Sequence, residues 1–274
     1  MSSSAIEAVL RRDRAVVVVA LALITILSWV YILVLARTMD MGGMDMTGWR
    51  MVSTGLEMGM APALAPWSTW QFAWMFVMWA VMMIGMMTPS VAPMILIYAR
   101  VGRQAALQGR TLAPTGWFAG GYLSAWVGFA LLATTAQWVL ERTTLLSPMM
   151  EVASNLLGGV VLIAIGVYQW TPLKDVCLRQ CQSPLVFIQR HGGFRRQPMG
   201  SLSLGLRHGI FCVGCCWALM LLLFVGGIMN LLWIAALTIF ILAEKVVPGG
   251  RTVARMAGTG FAAFGVWVLV KTFL

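Results

Sequence analysis

The stretch WQFAWMFVMWAVMMIGMMTPSVAPMILIYA, residues 70–99, contains no charged side chain. A helix rises about 1.5 Å per residue, so a run of this length exceeds the roughly 30 Å of a bilayer's hydrocarbon core. The rest of the chain is similar, with 60% hydrophobic and 10% charged residues and a mean hydropathy of +0.87. This composition is far from that of soluble domains. The sequence therefore predicts a multi-pass membrane protein.

Hydropathy predicts an all-α bundle of seven spanning helices that forms a single domain over residues 1–274. The first apolar run is too long for the hydrophobic region of a signal peptide and has no small-residue cleavage site before Arg37, so we expect it to be retained. GGIMN, residues 226–230, predicts a tight turn between the fifth and sixth spans. The predicted spans are 15–36, 70–99, 115–140, 153–170, 208–225, 231–247 and 254–273.

The basic residues predict the orientation of these helices. If the amino terminus lies inside, fifteen of the 19 Lys and Arg residues lie on the inner side. This bias predicts an N-in, C-out arrangement. It also accounts for the net charge of +10 through membrane insertion, so we expect the lipid bilayer as a partner and no nucleic acid. The segment 37–69 becomes an outer methionine-rich loop, and 171–207 an inner cysteine-containing loop.

Seven methionines lie between residues 75 and 94, on one half of the second predicted helix. Met75, Met78, Met82 and Met86 fall within an arc of about 80° at the helical pitch. One interpretation is packing, because methionine fills irregular gaps in helix interfaces. The other is a ladder of thioether ligands, which suit Cu(I) or Ag(I) and suit hard cations poorly. A second stripe lies beside the first and comprises Met83, Met87 and Met94.

The predicted outer loop contains a second methionine cluster, RTMDMGGMDMTGWRMVSTGLEMGM, residues 37–60. The Met-x-Met pattern occurs twice, and Asp40 and Asp45 add negative charge that attracts cations. Packing explains less in a loop than in a helix, so this cluster favours a soft-metal site at the outer face. The alternative is a membrane-surface loop without a ligand role. The predicted ligands are Met39, Met41, Met44 and Met46.

Five cysteines occur in two clusters, KDVCLRQC and FCVGCC, both on the predicted inner side. A reducing cytosol keeps thiols free, and an odd number with ligand-like spacing argues against a disulfide framework. Thiolates bind Cu(I) or Zn(II) well. We expect one member of the first cluster to lie close to the second. Helix packing and a structural zinc site remain alternatives. The predicted metal ligands are Cys177, Cys181, Cys212, Cys215 and Cys216.

Four other polar residues lie near the predicted inner end. His191 and His208 could supply a nitrogen ligand, although packing or solvation is favoured for each. Glu244 and Lys245 lie near the inner end of the sixth span. We expect them at shallow depth, with Lys245 reaching the interface as part of an ion pair or anchor. The alternative is an ion or proton gate involving Glu244.

Three segments, MWAVMMIGMMTPSVAP, YQWTPLKDVCLRQC and GIFCVGCCWALMLLLFVGGIMNLLW with the following EKVVPGG, resemble the bacterial predicted metal-binding integral membrane proteins. The resemblance covers roughly residues 70–255. It implies a helical membrane fold and suggests metal binding by the cysteines at 177, 181, 212, 215 and 216. It supplies no reaction, and residues 39–60 lie outside it.

Thioethers outside, thioethers across the span and thiols inside suggest a path for one soft ion. The sequence therefore predicts a non-enzymatic membrane protein that binds Cu(I) and acts in copper transport or membrane metal delivery. Zn(II) remains an alternative at the cysteines, and a metallochaperone or larger membrane complex is the expected protein partner. The sequence contains no Walker-type glycine loop and no histidine pair within the spans to hold haem. The alternative function is that of an accessory subunit whose Met and Cys residues only pack.

Overall fold

The computed structural model describes residues 3–38, 67–143, 145–146 and 154–274. Within these ranges the regular secondary structure is helical and no β-strand is present, which confirms the all-α prediction. The helices are α1 (Ser3–Thr38), α2 (Thr69–Leu107), α3 (Thr115–Arg142), α4 (Asn155–Tyr168), α5 (Pro172–Gln182), α6 (Pro184–Arg190), α7 (Pro198–Met220), α8 (Leu222–Val225), α9 (Leu231–Val246) and α10 (Gly250–Phe273).

Several described helices are long and apolar enough to cross a membrane. Five meet this condition alone, and α4 with α5 would form a sixth if the pair, bent by 64°, is one span. Helix α9 has 16 residues, which corresponds to about 24 Å at the helical rise. Seven spans and the N-in orientation therefore stay predictions. The five segments are Ala15–Arg37, Thr69–Leu107, Thr115–Arg142, Pro198–Val225 and Gly250–Phe273.

The segment 171–207, expected to be a loop, is largely helical and contains α5, α6 and the first turns of α7. Local start signals divide this predicted inner connection into helices, and its place on the inner side stays a prediction. The Thr171 side chain accepts a hydrogen bond from the backbone of Lys174 and caps α5, whose first residue is a proline. Pro198 likewise occupies the first turn of α7, where a missing backbone N–H costs nothing. Helix α7 therefore begins ten residues before the predicted start at 208.

Close backbone contacts join α3 to α7. A Cβ atom at Gly121 would lie 2.0 Å from the carbonyl oxygen of Leu202, and one at Gly205 would lie 2.0 Å from that of Phe118. Any side chain at either glycine would overlap the neighbouring backbone, so these positions require the absence of a Cβ. Helix α7, which carries three of the cysteines, is thereby held against α3 in the centre of the fold.

The methionine face of α2 points into the bundle. Met78, Met82 and Met86 are at most 3% exposed, whereas Met75 nearer the helix start is half-buried. Helix α2 continues through Pro89 and Pro93 to Leu107, beyond the predicted end at 99. The neighbouring stripe is buried as well and comprises Met83, Met87 and Met94.

Candidate metal centre

Three cysteine sulfurs from two helices form a compact group. The Sγ atoms of Cys181, Cys212 and Cys215 all lie within 4.8 Å of one another, and those of Cys181 and Cys215 are 4.0 Å apart. Two sulfurs bound to one metal ion at about 2.3 Å lie roughly 4 Å apart. The expectation that the two cysteine clusters meet is confirmed for Cys181. The spacing fits coordination of one soft ion after small side-chain movements.

The local sequence and one bend in the chain create this group. Cys212 and Cys215 are three residues apart on α7 and therefore share a face. Cys181 lies in the last turn of α5, which turns by 64° from α4 and rests on α7. A Cβ atom at Gly214 would lie 2.8 Å from Cys177 Sγ. The missing side chain at this glycine thus lets α5 approach α7 closely enough for Cys181 to join the group.

The other two cysteines lie beside the three-sulfur group but outside it. Cys177 is buried against Gly214. Cys216 is fully buried, and its thiol donates to the backbone oxygen of Cys212 at 2.9 Å. The structure therefore gives both residues packing contacts, and their role as ligands stays a prediction.

The Cys212 sulfur has two further polar neighbours that sequence reasoning missed. Lys245 Nζ donates to it at 2.9 Å, and the Tyr122 hydroxyl lies 3.1 Å away. The same Nζ donates to Ser90 Oγ at 3.1 Å and lies 4.0 Å from Met87 Sδ. An ammonium group at this distance stabilises negative charge on the sulfur. The sequence offered one related signal. Ser90 lies one turn after Met87 on the same face of α2, so a polar acceptor beside the buried methionines could have been predicted.

The expectation that the Lys245 side chain reaches the interface was wrong. Its side chain is 7% exposed and points toward α2 and α7 instead of the interface. The physical reason is that Cys212 and Ser90 accept hydrogen bonds from the ammonium group, which offsets the cost of burying the charge.

Glu244 forms a buried ion pair with Lys174, the partner that the sequence analysis did not identify. Lys174 Nζ donates to the two carboxylate oxygens at 2.8 and 3.0 Å. The Gln182 side chain adds a bond to the backbone oxygen of Glu244 at 2.8 Å. These contacts join α5 to α9 and hold α5 at the angle that places Cys181 on α7.

The buried methionines of both stripes on α2, together called the methionine face from here on, reach this centre through Met87. Met78 and Met87 are about 14 Å apart along the helix axis, and the three methionines between them are buried as well. The predicted ligands Met39, Met41, Met44 and Met46 lie outside the described residues.

The histidines do not join the sulfur group. The ring of His208 packs against Phe118, Tyr122 and Phe187, and its Nδ1 has no hydrogen-bond partner among the described residues. His191 Nδ1 lies 2.8 Å from the backbone oxygen of Phe187. The aromatic contacts of His208 agree with the packing role that the sequence analysis favoured for this residue.

A hydrogen-bonded chain links the opposite end of the methionine face to α3. Trp79 Nε1 donates to Gln137 Oε1 at 2.7 Å, and Gln137 Nε2 donates to Glu141 Oε1 at 2.8 Å. The Trp67 indole donates to the other carboxylate oxygen at 2.7 Å. One carboxylate thus lies near the start of α2.

A family model described as PpoB2, copper chaperone, matches residues 76–268. The match covers most of the chain and includes the three clustered cysteines, Lys245 and the buried methionine face. No curated protein and no solved structure matches the chain significantly.

Proposed function

Because the chain belongs to the PpoB2 family of copper chaperones, we propose that it binds Cu(I) within a membrane-embedded helix bundle and acts in copper transport or membrane metal delivery. The observation that carries this proposal is the group of three sulfurs at Cys181, Cys212 and Cys215, all within 4.8 Å of one another. Such a group offers soft donors from two helices to a single ion.

The donor set favours Cu(I) over Zn(II). Structural zinc is almost always bound by four ligands in a tetrahedron, whereas the group found among the described His, Cys, Asp and Glu residues contains three thiols. Soft thiolate ligands select Cu(I). The ammonium of Lys245 beside Cys212 supports binding by stabilising the thiolate that acts as the ligand.

The buried methionine face supplies the proposed route to this centre. Thioethers are neutral ligands, so each is a weak site that an ion can enter and leave. Their burial supports this role, because lipid tails give no reason to prefer methionine over leucine. Methionines that only pack would also be buried. The proposal assigns these buried thioethers a role as a copper route.

We further propose that α4, with its bent continuation α5, and α9 complete seven crossings of a bacterial inner membrane. The excess of basic residues then places the amino terminus and the three cysteines on the cytoplasmic side. In this arrangement the methionine face leads from the outer surface to the thiols. A cytosolic metallochaperone or a larger membrane complex would exchange copper with the cysteines, and no chemical reaction is assigned to the chain.

Copper binding by the intact protein tests the proposal. We expect at least one Cu(I) per chain in competition with a calibrated chelator, and a first coordination shell dominated by sulfur in X-ray absorption. Replacing Cys181, Cys212 or Cys215 by Ser should weaken binding at least tenfold, because each loses a soft ligand. Cys216→Ser is the matched control on α7 and should bind nearly as well as the wild type. Equal binding by all four variants would refute the three-cysteine site.

A further inference from the structure

The ammonium group of Lys245 occupies the point where the methionine face meets the cysteine group. It lies 2.9 Å from Cys212 Sγ, 3.1 Å from Ser90 Oγ and 4.0 Å from Met87 Sδ. Two of these neighbours come from α2 and one from α7. A cation therefore already sits between a thioether and a thiol, on the line that joins the two sets of sulfurs.

The charge of Lys245 is balanced in an unusual way. A buried ammonium normally pairs with a carboxylate, because an unpaired buried charge is costly. The adjacent Glu244 carboxylate is bound through both oxygens to Lys174. Within the described part of the chain Lys245 has no carboxylate partner. Its partners are instead sulfur and hydroxyl groups, and two of the three are donors that a soft monovalent cation prefers.

We propose that the Lys245 ammonium is a tethered substitute for the cargo ion, a step that rests on the copper-binding function proposed above. The space between Met87, Ser90 and Cys212 is then a second cation site, filled by lysine when no metal is bound. Entry of Cu(I) displaces the ammonium, because two positive charges a few ångströms apart repel strongly in a buried site. One cation replaces another, so the charge of the site is unchanged.

The position of Lys245 allows this displacement. The residue lies one position before the end of α9, and the following Val246 and Val247 are 56% and 45% exposed. A lysine near a helix end can extend its flexible stem and place the ammonium in water. The displaced side chain therefore has a short path to the surface.

The competing explanation is a permanent counter-ion. In that case the metal binds to the three cysteines while Lys245 keeps its contacts with Cys212 and Ser90. The two explanations differ in where the Lys245 amine lies when metal is bound.

Amine labelling of the wild-type chain separates them, because the sequence contains only three lysines, Lys174, Lys245 and Lys271. The full chain in nanodiscs is treated briefly with acetic anhydride, with and without Ag(I) as a redox-inert analogue of Cu(I). Modification of each lysine is then quantified by mass spectrometry, and bound silver is measured in the same samples. Lys271 is exposed and serves as the reactive control. Lys174, fully buried in its pair with Glu244, serves as the protected control.

We expect Ag(I) to raise labelling of Lys245 at least tenfold, while Lys174 stays protected and Lys271 stays reactive. Bound silver with Lys245 still protected would overturn the tethered-cation proposal and leave the copper site standing. Exposure of Lys174 together with Lys245 would indicate general opening of the helices and would also overturn it. If no silver binds, the proposed function fails, and the role of Lys245 fails with it.

Discussion

Replacing Glu244 by Gln should destabilise the metal-free protein by about 3–5 kcal/mol, the usual cost of removing one member of a buried ion pair. Lys174 Nζ lies 2.8 and 3.0 Å from the two carboxylate oxygens, and neither side chain is more than 2% exposed. Unit charges at this separation attract by roughly 6 kcal/mol at an effective dielectric constant of about 20. A glutamine oxygen recovers about 1.5–3 kcal/mol through a hydrogen bond to the remaining charge.

Reversible unfolding in mixed detergent micelles, followed by circular dichroism, measures this loss. Two controls separate the buried charge from other effects. The double variant Lys174→Met/Glu244→Leu should be more stable than the single variant, because it leaves no charge without a partner. Asp175→Asn breaks ion pairs with Arg251 and Arg255, whose side chains are 42% and 38% exposed, and should cost about 1 kcal/mol or less.

Two results would refute the reasoning. One is a Glu244→Gln protein within about 0.5 kcal/mol of the wild type, which would mean that water reaches Lys174 and screens its charge. The other is a double variant as unstable as the single one, because the loss would then come from packing. The single variant Glu244→Gln should also weaken Cu(I) binding, because the ion pair of Lys174 with Glu244 holds α5 at the angle that brings Cys181 to α7.

Three further predictions concern the route, the packing and the orientation. The triple variant with Met78, Met82 and Met86 replaced by Leu should fold, because these substitutions nearly conserve side-chain volume. The copper tolerance of cells that express it should change. Unchanged tolerance with correctly inserted protein would show that these methionines only pack. Gly205→Ala should destabilise the protein by several kcal/mol, because the added Cβ would lie 2.0 Å from the α3 backbone. The control Gly128→Ala, whose Cβ would have nothing within 4 Å, should stabilise it by about 0.5–1 kcal/mol through helix propensity. Equal effects of the two substitutions would contradict the α3–α7 contact. Labelling of single cysteines introduced at the two termini should show the amino terminus inside and the carboxyl terminus outside, and both termini on one side would contradict an odd number of spans.

Local patterns account for the parts of the fold that the sequence analysis predicted correctly. Apolar runs and helical spacing depend only on neighbouring residues, so they indicated an all-α fold and the shared face of Met78, Met82 and Met86. The same reasoning placed the two cysteine clusters near each other, since both flank one connecting segment. These predictions needed no knowledge of how distant helices pack.

Lys245 shows where local reasoning ended. Its place near the end of an apolar helix suggested an extended side chain at the interface, and the sequence around it contains nothing that contradicts this. Its actual partners, Ser90 and Cys212, come from helices that are remote along the chain. Only the packed structure reveals that acceptors are present to satisfy a buried ammonium.

The choice among the five cysteines was likewise decided by tertiary structure. The sequence alone determined that thiols occur at helical spacing on either side of the segment that carries α6. The 64° bend between α4 and α5, the missing side chain at Gly214 and the pair of Lys174 with Glu244 together bring Cys181, and not Cys177, to Cys212 and Cys215. Spacing along one helix is a local property, whereas the angle between two helices is set by contacts among residues far apart in sequence.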